Sequence, residues 1–428
     1  MIKQVMDNGL SLIYKKREGN LSSIAISLEA GANCEGNFKI GLAHVVEHMI
    51  YKGTKNRTEA EINILCDEIL GFNNAMTNYP YAVYYGTTLS DDFERTLELY
   101  SDLLINPIFP KEGFKEEIDV ILEELQEWKE DPYQYCEDEL LRNAFNSRRI
   151  KELIIGNKES VTNINIEDIK EFYKKYYTPE NTVISVVSSL GFEEVLELIK
   201  KYFSLWTPHH NEVLKEKEFI NKEEFEYEGN NCGVFRKEDS SIKGCKIQYA
   251  FPIHTLTKQE VKALRIFNLA FGEGTSSLLY DEIRTKNGLA YDISSCIKNE
   301  KGIKLFKISL GTSKDKCEKA INLINSKIEE VKSRDHIFTE EKICKLIKSF
   351  KLKRSLNLEK SIYESVYTAN YEVMYGEREK KGYVDRKYIS PLMEEEKNLN
   401  SLTTKDIYDV IYKVLQNPTI EILSGKEV

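Results

Sequence analysis

Paired-cysteine motifs, long apolar runs and an excess of basic charge are all missing from this sequence, and histidine and tryptophan are scarce. Its eight cysteines stand apart at positions 34, 66, 136, 232, 245, 296, 317 and 344, with no Cys-x-x-Cys pair. That spacing excludes a dense disulfide scaffold and predicts a reducing, cytoplasmic setting. Apolar runs such as Val183–Val187 fall far short of the roughly 20 residues needed to span a bilayer. The start, Met1–Leu12, carries Lys3, Gln4, Asp7 and Asn8 and so offers no apolar signal core. Neither export nor membrane association is expected. With 60 basic against 70 acidic residues the formal charge is −10, which argues against a general nucleic-acid binder, because phosphate neutralisation needs a basic surface.

What is present is the balance of a folded protein: 41% hydrophobic, 30% charged and 11% aromatic residues over a length of 428, with no low-complexity segment. That length exceeds one ordinary domain and predicts two. Ile24, Ile26 and Leu28 alternate with Ser23, Ala25 and Ser27 as in a strand. A strand pair is expected around Asn74–Thr77 and Ala82–Leu89, among helices at Leu42–Tyr51, Glu59–Leu70, Asp92–Leu104, Phe114–Trp128 and Glu167–Tyr177. The mixture predicts an α+β architecture. From Trp206 to Asn231 the chain becomes charged and loses apolar periodicity, so a linker is placed at 206–231 between domains 1–205 and 232–428.

The two halves echo one another. Pro107-Ile108-Phe109-Pro110-Lys111-Glu112 resembles His336-Ile337-Phe338-Thr339-Glu340-Glu341, and Asp168-Ile169 with Tyr173–Val187 resembles Asp406-Ile407 with Tyr412–Leu423. The offsets, 229 (337 − 108) and 238 (406 − 168), differ by no more than a few loop insertions. Internal duplication is the economical explanation.

The most informative stretch is Gly41-Leu42-Ala43-His44-Val45-Val46-Glu47-His48-Met49-Ile50. In a helix, His44 and His48 project from one face one turn apart, with Glu47 on the same side. Two imidazoles so placed can share a zinc ion, with the carboxylate beside the open coordination position. The order His-x-x-Glu-His inverts the commoner His-Glu-x-x-His but meets the same requirement of ligands at i and i+4. A catalytic zinc takes a third protein ligand. The remaining histidines, His209 and His210 in the linker and His254 and His336 in the second half, offer little. In the acidic helix after Phe114, Glu117 and Glu124 lie seven residues apart on one face. Either could ligate, with the other orienting a histidine, and spacing alone does not choose.

Residues 41–54, Gly-Leu-Ala-His-Val-Val-Glu-His-Met-Ile-Tyr-Lys-Gly-Thr, resemble the zinc-helix signature of the insulinase and pitrilysin family, in particular its half-size members that include the mitochondrial processing peptidases. In that family the third ligand is the second member of a Glu-x6-Glu pair about 76 residues past the second histidine. Here 124 − 48 is 76, so the resemblance implies Glu124 as ligand and Glu117 as its support. The segment Ser276–Tyr291 resembles the family's arginine–tyrosine segment and implies that Arg284 and Tyr291 donate hydrogen bonds to a substrate carbonyl. Asn74-Ala75-Met76-Thr77 matches the family's substrate-binding edge strand. Asn78-Tyr79-Pro80 departs from the pattern that follows it, and Pro80 lacks a backbone donor.

By resemblance the fold is two duplicated α+β domains, each a mixed antiparallel sheet with packed helices, forming half of a clam-shell chamber. Aligning Gly53-Thr54 with Gly274-Thr275 puts Arg265, Asn268 and Leu269 where the first half has His44, Glu47 and His48; the other offset puts Lys353 where Glu124 stands. One zinc per chain is expected, in the first half. The implied activity is peptide-bond hydrolysis on short or unfolded peptides, with Glu47 as general base and Arg284 and Tyr291 acting across a homodimer or a heterodimer with a related chain. Two other classes fit the resemblance: a non-catalytic partner subunit, and a zinc-stabilised peptide-binding module. Glu47 discriminates, because a binder needs no base.

Overall fold

The alternation around Ile24 does form a strand, but both its faces are buried in the computed structural model, which describes residues 1–207, 226–333, 336–377 and 379–426. The hydroxyl of Ser23, on the face the pattern would leave to solvent, pairs with Thr87 at 2.8 Å and with Ser361 at 2.8 Å on a covering helix, Ser361–Tyr375. Ser23 can be buried there because its hydroxyl finds partners, whereas the buried hydroxyl of Ser27 on the same face has none among the described residues.

The chain divides into two units. The first comprises Met1–Leu125, Leu153–Phe225 (described as far as residue 207) and Leu356–Glu394; the second comprises Gln126–Glu152, Glu226–Ser355 and Glu395–Val428. Neither unit is one continuous stretch. Helix α5 (Pro132–Ala144) lies in the first half of the sequence yet belongs to the second unit, while Ser361–Tyr375, from the second half, belongs to the first. Of the linker expected at 206–231, residues 208–225 lie outside the described residues, as do His209 and His210.

In the first unit, strands β1 (Ile2–Val5), β2 (Ser11–Lys16), β3 (Leu21–Leu28), β4 (Leu70–Thr77), β5 (Ala82–Leu89), β6 (Thr182–Ser188) and, from late in the chain, Val384–Asp385 form one sheet. Its order is Val384–Asp385, β1, β2, β6, β3, β5, β4, antiparallel except for β2 beside β6. The apolar run Val183–Val187 is in β6, buried along its whole length, as suits a central strand covered on both faces. Four helices of the first part of the chain, α1 (Leu42–Ile50), α2 (Glu59–Ile69), α3 (Phe93–Ile105) and α4 (Phe114–Glu130), contribute to the main core. Val45, Val46 and Met49 of α1 share that core with Ile118, Ile121 and Leu125 of α4. Strand β4 is the sheet's outer edge and most of it is exposed.

The second unit's sheet contains β7 (Gly233–Glu238), β8 (Cys245–Pro252), β9 (Ala290–Glu300) and β10 (Ile303–Thr312), with Thr419–Ser424 between β7 and β8. Its order, β7, Thr419–Ser424, β8, β10, β9, repeats the first unit's β2, β6, β3, β5, β4, including the single parallel pair. That shared order is the duplication seen as topology. Helix α5 (Pro132–Ala144) belongs to this unit, where its Cys136 packs with Ile242 and Leu423. Each unit's sheet is thus covered on one face by a helix drawn from the other half of the sequence. No helix among the described residues is long and apolar enough to cross a membrane.

Candidate metal centre

Helix α1 begins at Gly41, whose backbone takes φ +93°, and a Cβ there would sit 2.6 Å from the carbonyl oxygen of Ile155. Only glycine fits a left-handed position so closely approached. No side chain of the cap residue serves the first N–H groups; instead the buried Glu35 carboxylate accepts from the N–H of Gly41 at 3.0 Å and of Ala43 at 3.1 Å. A negative charge at this end also suits the helix dipole. The start of α1 is therefore fixed from outside the helix.

One turn apart on α1, the rings of His44 and His48 lie with centroids 4.5 Å apart. Glu124 of α4 faces both: His44 Nε2 to Glu124 Oε1 is 3.8 Å, and His48 Nε2 to Glu124 Oε2 is 3.6 Å. Ligand atoms of these three residues lie within 4.8 Å of one another, the one such group of three among the described residues. Tetrahedral zinc, with bonds of about 2.0–2.2 Å, needs ligand atoms roughly 3.4 Å apart, so the set fits the ion after small side-chain closure. Its chemistry, two imidazole nitrogens and a carboxylate, is that of a catalytic zinc site with one position open.

The surroundings prepare the ligands unequally. His48 Nδ1 is 2.7 Å from Glu117 Oε1, and the other oxygen of Glu117 is 2.5 Å from Lys52 Nζ. A carboxylate on Nδ1 fixes the tautomer that leaves Nε2 free to ligate. His48 and, after it, Lys52 hold the Glu117 carboxyl down to about 2, while burial opposes them. In His48 burial works downward, but the bond to Glu117 and the charges of Glu47, Glu117 and Glu124 together outweigh it and the net direction is up. His44 is different. Burial, then the neighbouring His48, pushes it down to about 3, so its imidazole is neutral, as a metal ligand must be. Its Nδ1 is buried with no hydrogen-bond partner among the described residues.

Glu47 is buried, and its Oε2 accepts from the hydroxyl of Thr77 at 2.5 Å. Burial raises its pKa, moderated by the Thr77 bond. A carboxylate raised toward neutrality, beside but outside the ligand set, is suited to accept and return a proton.

Thus the structure brings His44, His48, Glu124, Glu47, Glu117 and Thr77 together in the first unit. It also separates the two acidic residues that sequence spacing left open: Glu117 meets Nδ1 of His48, and Glu124 faces both Nε2 atoms. Asn74, Ala75 and Met76 lie on the exposed edge strand β4. Pro80 falls after that strand, in the turn where Asn78 N–H bonds the Tyr81 carbonyl at 2.8 Å, so it removes no donor from β4 itself.

Arg284 and Tyr291 are in the second unit. Arg284 lies on a π-helical turn, Tyr280–Lys286, and donates to the backbone carbonyl of Tyr291. Register slips between Gly311 and Thr312, which pair with Asp292 and Ala290, and leaves Tyr291 unpaired as a bulge with 68% of its surface exposed. Bulges and π-turns of this kind re-aim side chains.

Sequence reasoning missed three contributors. Glu35 had a signal, an acid shortly before a helix start. Lys52, inside the matched segment, had none that named Glu117 as its partner. Thr77 was read only as part of the strand; its bond to Glu47 joins residues 30 apart, which no local pattern encodes.

Comparison with known proteins finds relatives over most of the chain. A family model described as insulinase (peptidase family M16) matches residues 12–158, and one described as the peptidase M16 inactive domain matches 163–349. An uncharacterized zinc protease of Rickettsia bellii is 26% identical over 388 residues, covering 90% of this chain and 88% of that one. A probable mitochondrial-processing peptidase subunit beta of Arabidopsis thaliana is 32% identical over 203 residues, 46% of this chain and 38% of that one. The fold is similar to that of a protease from Helicobacter pylori, with a TM-score of 0.85 at 21% identity over 99% of this chain and 98% of that chain.

Proposed function

We propose, from the premise that this chain belongs to the insulinase (M16) family of peptidases, that it is a zinc metalloendopeptidase acting on short or unfolded peptides. The observation that carries the proposal is the group His44, His48 and Glu124 with the buried Glu47 beside it. Bound there, zinc supplies Lewis acidity toward water and the scissile carbonyl. Glu47 takes the proton from the attacking water and hands it to the leaving amine, while Thr77 holds the carboxylate in place. Glu117 keeps His48 in its ligating tautomer. The exposed edge β4, with Asn74, Ala75, Met76 and Thr77, takes the substrate as an added strand, which requires an extended chain.

Arg284 and the exposed Tyr291 donate to the substrate carbonyl as charge develops. They act on the zinc unit of a second chain, so the working form is a dimeric chamber, of identical or related chains. The subunit designation of the Arabidopsis relative supports a two-chain assembly. The unpaired cysteines support a reducing, cytoplasmic setting.

The test is cleavage of a mixed unstructured peptide library by the zinc-loaded protein, beside Glu47→Gln and a chelator-treated sample. Loss of turnover by about 10²–10⁴-fold in Glu47→Gln, with zinc still bound, is expected for a general base; equal cleavage overturns the mechanism and returns the chain to a binding module or silent partner. Mixing inactive Glu47→Gln with inactive Arg284→Ala restores part of the activity once chains exchange. No recovery despite demonstrated exchange removes the trans arrangement.

A further inference from the structure

Away from the metal centre, two cysteines of the second unit meet inside the protein. Cys245 Sγ and Cys317 Sγ are 3.2 Å apart, closer than ordinary contact between sulfur atoms. Cys245 opens β8, where backbone pairing to Thr312 of β10 and to Ser424 fixes it on both sides. Cys317 is the first residue of the 17-residue helix Cys317–Ser333. Strand and helix therefore hold the two sulfurs together without help from a flexible loop.

The environment favours reaction at this pair over the other thiols. A helix N-terminus stabilises a thiolate, and Cys317, bonded by Cys245 and near the Arg236 guanidinium, has its pKa lowered. Cys245 is shifted the opposite way by the same bond and by burial. Cys317 retains 5% exposure and Cys245 none, so Cys317 is the sulfur a small oxidant reaches first. Cys136 packs on the opposite side of β8, its sulfur against the carbonyl oxygens of Lys246 at 3.6 Å and Glu421 at 3.9 Å.

The geometry points to Cys245 and Cys317 as a reversible disulfide site that a peroxide closes. The Cys317 thiolate attacks one peroxide oxygen, the O–O bond breaks, and a sulfenic acid and one water result. The Cys245 sulfur then attacks the sulfenic sulfur, releases its proton, and a second water leaves as the S–S bond forms. Two thiols and one hydrogen peroxide thus give one disulfide and two waters. Closing from 3.2 Å to a bond of about 2.0 Å needs a shift of roughly an ångström. The loop so closed, from 245 to 317, contains Arg284 and Tyr291, so oxidation would stiffen the frame that presents them. The disulfide itself is independent of the zinc chemistry.

The full chain is treated with hydrogen peroxide and mapped by mass spectrometry without reduction, beside a sample returned to a thiol reductant. Expected are a Cys245–Cys317 linked peptide two mass units lighter than the reduced pair, its loss on reduction, and a thermal midpoint several degrees higher when oxidised. Cys317→Ser and Cys245→Ala each abolish both signals; Cys136→Ser and Cys344→Ser keep them. Should either variant fail to fold, mapping of the wild-type chain decides by itself. The proposal is overturned by over-oxidation of the exposed Cys232, Cys296 and Cys344 without the 245–317 link, or by crosslinking of Cys136 in its place.

Discussion

The two units repeat one strand order but treat the same helix position in opposite ways. On α1 the face beside Glu124 carries His44, Glu47 and His48; on the helix Lys258–Phe271 the aligned positions are Arg265, Asn268 and Leu269. The second unit pairs the polar members of this set with other side chains of its own. Arg265 pairs with Glu395 at 3.2 Å, and Asn268 bonds both Ser295 at 2.6 Å and Glu273 at 3.1 Å. Lys353, at the position matching Glu124, pairs with Glu273 at 2.7 Å. The first unit instead turns His44, His48 and Glu124 toward one another as a group of ligand atoms, with the buried Glu47 beside it. The lesson is that the fold depends on the apolar faces both helices share, whereas the site depends on which polar residues stand on those helices and what each of them faces.

That contrast can be broken from either side, and the largest effect is expected at Glu124. Glu124→Ala should lose stoichiometric zinc and all measurable turnover, whereas Lys353→Ala, its counterpart, should change neither. Metal analysis after dialysis, with the peptide-library assay, reads both; zinc retained by Glu124→Ala would remove that residue from the ligand set.

A smaller effect belongs to Glu117. Because it acts through His48, Glu117→Ala should weaken zinc binding by about 10–100-fold, and excess zinc should restore much of the activity, which no excess restores in Glu47→Gln. A competition titration against a chromogenic chelator measures the first. Unchanged affinity would reduce Glu117 to a partner of Lys52.

The smallest effect is in the second unit and concerns stability. Glu421 is buried in the strand Thr419–Ser424; Asn143 donates to one carboxylate oxygen at 2.7 Å, and the other has no hydrogen-bond partner among the described residues. Burial, opposed by Asn143, pushes its pKa from 4.5 up to about 7. Between those values the folded state holds more protons than the unfolded one, so stability is highest below the lower value and falls as pH rises through the upper. Glu421→Gln should flatten that part of the urea-midpoint profile, leaving the portion due to Asp138, which burial also pushes up to about 7. An unchanged slope would show that Glu421 ionises without cost.

Much of the fold was legible locally. Helices α1 to α4 begin within about a residue of where apolar periodicity placed them, because each keeps one continuous apolar face. Strand β4 starts earlier than expected, at Leu70, since its exposed edge side chains give no alternating pattern. The exchange of α5 and Ser361–Tyr375 left no local trace: a helix's apolar stripe shows that it must be covered, not which sheet covers it.

By itself the sequence determined the acidic, mixed α+β character, the duplication, and the face of α1 on which His44, Glu47 and His48 stand together, because helical spacing alone brings i, i+3 and i+4 to one side. Only the tertiary structure decided what meets that face. Seven residues apart on α4, Glu117 and Glu124 are equivalent to any local rule; the packing of α4 and α1 into one core sets Glu117 on His48 Nδ1 and Glu124 before both Nε2 atoms, and the end of β4 delivers Thr77 to Glu47.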